Sequence, residues 1–106
     1  MIMFPRIQCN DGFTMSVQAR QFCYCSPRNS VGPWTAVEVG FPSEREELLM
    51  EYIDGDINTP DSSVYGWVPV ETVEEIIAKR GGTNAEGAAV LNAIRNAGVF
   101  LDRFKE

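Results

Sequence analysis

Histidine is absent from this chain of 106 residues. That removes the side chain that most often moves protons near neutral pH. With it go the Ser-His and Cys-His nucleophile pairs and every His-containing metal site. Cysteine is scarce and odd in number: Cys9, Cys23 and Cys25 cannot make an even disulfide framework, which points to a reducing compartment. No apolar run approaches the roughly 20 residues that span a bilayer. The first residues, Met1-Ile-Met-Phe-Pro-Arg6, lack a basic segment leading into a long apolar one. The expectation is a cytoplasmic protein without membrane contact. A phosphate-binding glycine loop is missing too. Gly81-Gly82 is not followed by Lys-Ser or Lys-Thr, and no Gly-x-Gly-x-x-Gly occurs.

What is present suits one folded domain over residues 1–106. The chain is 44% hydrophobic and 23% charged, with six Phe, three Tyr and two Trp to fill a core, so disorder is not expected. The net charge of −6 is unevenly spread. Residues 38–75 hold eleven acids and one base, Arg45, whereas the segments on either side are each net positive. This is the wrong sign for direct nucleic-acid binding. It is the right sign for meeting a basic protein surface.

Residues 4–19 read as a β-hairpin. Cys9 and Phe13 flank Asn10-Asp11-Gly12, a three-residue loop with glycine last, which sets Ile7 opposite Met15. Residues 20–25 read as further extended chain and 26–33 as a loop. Residues 34–41 alternate as a strand, with Val37, Val39 and Phe41 on one face with Thr35. Ser43-Glu-Arg-Glu46 has the pattern of a capping box opening a helix, whose buried stripe is Leu48, Leu49, Tyr52 and Ile53. A polar loop over 54–63 precedes a strand at 64–68 and a second helix at 70–80, with Val70, Val73, Ile76 and Ile77 buried and Gly81-Gly82 as its stop. Thr83 and Glu86 suggest another capping box before a third helix to about residue 97, anchored by Val90, Leu91 and Ile94. Val99-Phe100-Leu101 reads as a last strand or a helix extension. The order gives an α+β fold: an antiparallel sheet of about four strands packed with about three helices.

Chemical signatures are incomplete. Cys23 and Cys25 stand one residue apart, closer than paired zinc ligands, and no histidine completes a set with Cys9. None of the cysteines sits at an expected helix start, where a thiolate would be favoured. Asp54-Gly-Asp-Ile-Asn58 opens like a calcium loop but then carries Thr59 and Tyr65 where Gly and Glu are required. A pair of carboxylates in one cleft is a catalytic arrangement that sequence alone does not reveal. The reading is therefore a non-enzyme with no cofactor, no metal and no catalytic residue.

Two surfaces are candidates for binding. On an α-helix from Glu44, the acids Glu44, Glu47, Glu51 and Asp54 fall within an arc of ~80°. Asp56 and Asp61 extend the charge into the next loop. The plain alternative is a solvated helix face. The second candidate is the loop carrying Tyr24, Arg28, Asn29 and Trp34, where Tyr, Trp and Arg are residue types favoured at binding hot spots. Trp34 is equally suited to the core.

Four segments carry a resemblance. Phe4-Pro-Arg-Ile-Gln-Cys-Asn-Asp-Gly-Phe-Thr-Met-Ser-Val-Gln-Ala19, Tyr24-Cys-Ser-Pro-Arg28, Gly32-Pro-Trp-Thr-Ala-Val-Glu-Val-Gly-Phe-Pro-Ser43 and Val64-Tyr-Gly-Trp-Val-Pro-Val70 resemble a family of small proteins encoded by bacteriophages and prophages. The resemblance covers about residues 4–82 and leaves out the last helix. It carries over no functional residue. It implies a protein made in the host bacterial cell that binds a host factor, such as an anti-CRISPR or other anti-defence inhibitor whose acids occupy a basic nucleic-acid channel. A small-ligand (nucleotide-like) binder near Arg28 and Trp34 is the alternative. A phage structural or assembly protein, with self-association into a homo-oligomer, is a further one.

Overall fold

The computed structural model describes residues 3–96. Alternating apolar residues build the first hairpin, β1 (Ile7–Gln8) and β2 (Thr14–Gln18). Ile7 lies opposite Met15, and the Cys9 N–H donates to the Phe13 carbonyl at 2.8 Å. Gly12 closes the turn at φ +99°, a left-handed conformation that a Cβ disfavours. Asp11 stiffens it by accepting the Phe13 N–H at 2.9 Å. With β3 (Ala36–Gly40), β4 (Ile53–Asp54) and β5 (Val64–Pro69), an antiparallel sheet forms in the order β1-β2-β3-β5-β4. Two α-helices follow, α1 (Val70–Lys79) and α2 (Ala85–Asn96). The fold is α+β, with five strands where about four were expected.

One sheet face is buried. Met15, Val17, Val37, Val39, Tyr65 and Val68 meet Val73 and Ile76 of α1 and Val90, Ala93 and Ile94 of α2 in a single core. Gly81 and Gly82, both at positive φ, stop α1. The hairpin loop docks on that end. Asn10 donates its backbone N–H to the Gly82 carbonyl at 2.9 Å and its side-chain amide to the Gly81 carbonyl at 2.7 Å. The Asp11 N–H donates to the carbonyl of the cap residue Arg80 at 3.2 Å, so the turn that ends α1 gains its partners from the β1–β2 loop. Among the described residues no helix is long and apolar enough to cross a membrane.

The first expected helix is corrected. Residues 47–52 form a 3-10 helix, and Glu46, not Ser43, is its N-cap, accepting the Leu48 N–H at 3.0 Å. Ser43 is held instead by β2: its N–H donates to the Thr14 carbonyl at 2.8 Å, and its hydroxyl oxygen accepts the Thr14 N–H at 3.0 Å. Glu46 cannot reach back to Ser43, because tertiary ion pairs draw its carboxylate inward. The third helix is likewise capped by Asn84 rather than Thr83. The Asn84 Oδ1 accepts the Gly87 N–H at 2.9 Å, while the Thr83 hydroxyl donates to the Gln8 carbonyl at 2.7 Å. Residues 20–25 are turns and bends, not extended chain. Phe41 leaves the face of Val37 and Val39, because its φ of +50° turns it outward. The segment Val99-Phe100-Leu101 lies outside the described residues.

Candidate functional site

The acidic residues separate once the 3-10 helix is in place. Successive side chains turn by about 120° there, so Glu47 and Glu51 point about 120° apart. Glu44 precedes the helix and Asp54 belongs to β4. The single arc expected of an α-helix therefore does not form. Glu44 pairs with Arg80 at 2.5 Å and Glu47 with Arg45 at 2.5 Å. Glu51, Asp54, Asp56 and Asp61 are exposed and have no cationic partner among the described residues. Asp56 orders the following loop by accepting the Asn58 N–H at 2.8 Å. Ile57, an apolar side chain, stands exposed among these acids.

Glu46 is the acid that the sequence could not single out. Its side chain is fully buried, with Lys79 Nζ at 2.6 Å from Oε2 and Arg80 Nη2 at 3.0 Å from Oε1. Burial alone would raise its pKa. The Lys79 ammonium, the Leu48 N–H and the Arg80 guanidinium outweigh burial and hold the carboxyl below its ordinary value. Arg80 also reaches Asp11 at 3.4 Å and lies 4.1 Å over the Phe13 ring. This knot ties the hairpin, the 3-10 helix and α1 together. Every charge in it is satisfied, so its role is structural.

The loop between β2 and β3 behaves differently. Trp34 is only 2% exposed; it meets Phe4 edge-on at 6.3 Å and donates its indole N–H to the Asn29 carbonyl. It belongs to the core. Asn29 shapes the loop, its Oδ1 accepting the Val31 and Gly32 N–H groups at 3.0 and 2.8 Å. Tyr24 instead stacks on Trp67, with ring centroids 5.1 Å apart. A register break between Val37 and Val39 lets this happen. It frees the Trp67 N–H from the ladder to donate to the Tyr24 carbonyl at 2.9 Å, with Trp67 at φ +50°. Gly66 lies close beneath, where a Cβ would come within 3.2 Å of Tyr24 Cβ, a tight approach. Strict alternation puts Trp67 on the same side as Tyr65; the bulge turns it out.

The chain matches no family model, no curated protein and no solved structure. Its site is therefore read from its own geometry. Phe22 is 78% exposed on this loop, and with Arg20, Gln21 and Ser30 it lines a cavity of about 220 Å³. Arg20 Nη1 is shut away from solvent with no hydrogen-bond partner among the described residues. Arg28 is exposed. Neither arginine makes an ion pair among the described residues, nor does Arg6, which donates to Thr14 and to the Phe41 carbonyl, whereas Arg45, Lys79, Arg80 and Arg95 all do. The cysteines are buried. Burial pushes the Cys23 thiol up to about 11, against the pull of the nearby Arg20 charge. It raises Cys9 and Cys25 as well, so all three are thiols at neutral pH. Among the described residues no three His, Cys, Asp or Glu side chains converge as metal ligands. Arg20, Phe22 and Trp67 are not among the binding candidates that the sequence offers, since nothing in local spacing distinguishes an unpaired arginine or an outward aromatic.

Proposed function

We propose that this is a phage-encoded protein that acts by contact, without turnover, on a basic surface of a host protein in the bacterial cytoplasm. The observation that carries the reading is the segment from Glu51 to Asp61, whose four acids have no cationic partner among the described residues and which also carries the exposed Ile57. An exposed apolar side chain in a segment of unneutralised charge suits a partner of opposite sign, where charge speeds encounter and sets orientation. A nucleic-acid-binding defence protein has such a surface in its channel, and occupying it would make this chain an anti-defence inhibitor of the anti-CRISPR kind. The phage origin rests on the sequence resemblance alone.

The test is charge reversal. Glu51→Lys with Asp54→Lys changes two exposed side chains that no ion pair among the described residues uses. Host proteins captured from lysate by the wild-type chain are titrated against wild type and variant by interferometry. Affinity is expected to fall by about tenfold or more in the variant, and to weaken with salt in the wild type. Equal affinity in a variant with an unchanged circular dichroism spectrum sinks the reading.

A further inference from the structure

The geometry points to a small-molecule site in the loop over residues 20–33, in which Arg20 takes an oxyanion of the ligand, carboxylate or phosphate, and Phe22 takes its planar ring. The cavity of about 220 Å³ is lined by Arg20, Gln21, Phe22 and Ser30. That is below the roughly 300–1,000 Å³ of drug-sized sites, so the cavity holds the anionic group and leaves the ring to lie on the exposed face of Phe22. Arg20 supplies the decisive feature. The chain has fifteen acids against nine Lys and Arg, so carboxylates are not in short supply. Arg20 nonetheless has none among the described residues, and one of its guanidinium nitrogens is cut off from water without an acceptor among them. Buried donors without acceptors are rare in folded proteins and costly. That nitrogen is out of a ligand's reach as well, so an oxyanion in the cavity would meet the rest of the planar guanidinium, whose charge no carboxylate among the described residues neutralises.

The other lining groups fit the same ligand. The Ser30 hydroxyl oxygen already accepts the Gln21 N–H at 3.2 Å, which leaves the Ser30 proton available for the oxyanion. Phe22, 78% exposed, offers a ring face for stacking. Arg28 adds a second positive charge on the same loop. Both guanidiniums act on the Cys25 thiol in the same direction, so their fields converge on this region. The site is separate from the acidic segment and does not depend on the protein-binding reading.

Isotope-labelled full-length chain is titrated with sodium phosphate, with benzoate and with adenosine monophosphate, following backbone amides by NMR. Saturable shifts are expected at residues 20–22 and 30, with the nucleotide about tenfold tighter than phosphate because its base stacks on Phe22. Phe22→Ala should erase that advantage and leave phosphate binding unchanged. If benzoate saturates and phosphate does not, the oxyanion is a carboxylate; the reverse makes it a phosphate. Arg20→Gln should abolish saturation for all three while melting at or above the wild-type temperature. Arg20→Lys should weaken binding severalfold by losing the guanidinium fork. Shifts that do not saturate by about 10 mM for any probe, a concentration far above ordinary ligand affinities, overturn the proposal. So does an Arg20→Gln chain that binds as the wild type does, or one that unfolds, since the latter would make Arg20 structural.

Discussion

The Arg80 guanidinium meets three carboxylates, Asp11, Glu44 and Glu46, and lies over the Phe13 ring, whereas Arg20 meets no carboxylate among the described residues. Both are arginines in a chain of net charge −6. The difference shows that composition does not measure the charge a partner can feel. Glu44, Glu46, Glu47, Glu71 and Glu74 are engaged internally by Arg45, Lys79, Arg80 and Arg95. Among the described residues without an ion pair are the acids from Glu51 to Asp61 and, elsewhere, Arg20 and Arg28 of the 20–28 loop. Satisfied charges hold the fold, and unsatisfied ones are left for ligands.

Arg80→Ala is the largest way to break this comparison. It leaves Glu46 fully buried with only Lys79 and the Leu48 N–H, and it strips the Phe13 ring of its cation. The expected loss is about 3 kcal/mol, at the low end for breaking a buried pair because Lys79 remains. For a domain of this size that lowers Tm by more than about 10 °C. Thermal melts followed by far-ultraviolet circular dichroism measure it. A drop of only a degree or two would mean that the knot adds little and that satisfaction does not mark structure here.

Acid titration probes the same knot more gently. The Glu46 carboxyl is held below its ordinary value in the folded chain, burial being outweighed by Lys79, the Leu48 N–H and Arg80. A depressed folded pKa means stability that is present above the unfolded value of about 4.3 and is lost as pH falls through the folded one. Glu74, held low by Arg95, adds in the same direction. Urea midpoints should therefore fall steadily below about pH 4. Glu46→Gln should start less stable at neutral pH and lose less on acidification. A Glu46→Gln midpoint that tracks the wild type in parallel would show that another carboxylate sets the acid limit.

Local patterns were readable wherever neighbours in sequence decide the outcome. The hairpin register follows from the Asn10-Asp11-Gly12 turn and the alternation around it, and α1 follows from Val70, Val73, Ile76 and Ile77 with two glycines behind. Elements governed by distant partners were not. Ser43-Glu-Arg-Glu46 has a sound local capping pattern, yet Thr14 takes Ser43 and the pair Lys79–Arg80 takes Glu46, leaving only a 3-10 helix. The site suffered the same fate. Trp34 and Trp67 look alike in sequence, but one packs on Phe4 and the other is turned outward by a bulge in its own strand. Which arginine lacks a carboxylate depends on which of fifteen acids the fold brings near it.

Arg95 sharpens the comparison with the smallest expected effect. Like Arg80 it gathers several carboxylates, Glu71 at 3.2 Å and Glu74 at 2.5 Å, and so links α2 to α1. Its own pKa is raised, chiefly by the Glu74 hydrogen bond. The setting differs: Arg95, Glu71 and Glu74 have side-chain exposures of 42, 70 and 39%, against 0% for Glu46. Water solvates these groups well when they part, so little is gained by pairing. Arg95→Ala should lower Tm far less than Arg80→Ala. Its deficit should also vanish in about 1 M salt, where the screening length shrinks to about 3 Å, while most of the Arg80 deficit persists because Glu46 stays desolvated. Melting both variants at low and high salt separates the cases. An Arg95 deficit as large and as salt-resistant as that of Arg80 would show that the number of ion pairs, and not the burial of the carboxylate, decides what holds this fold.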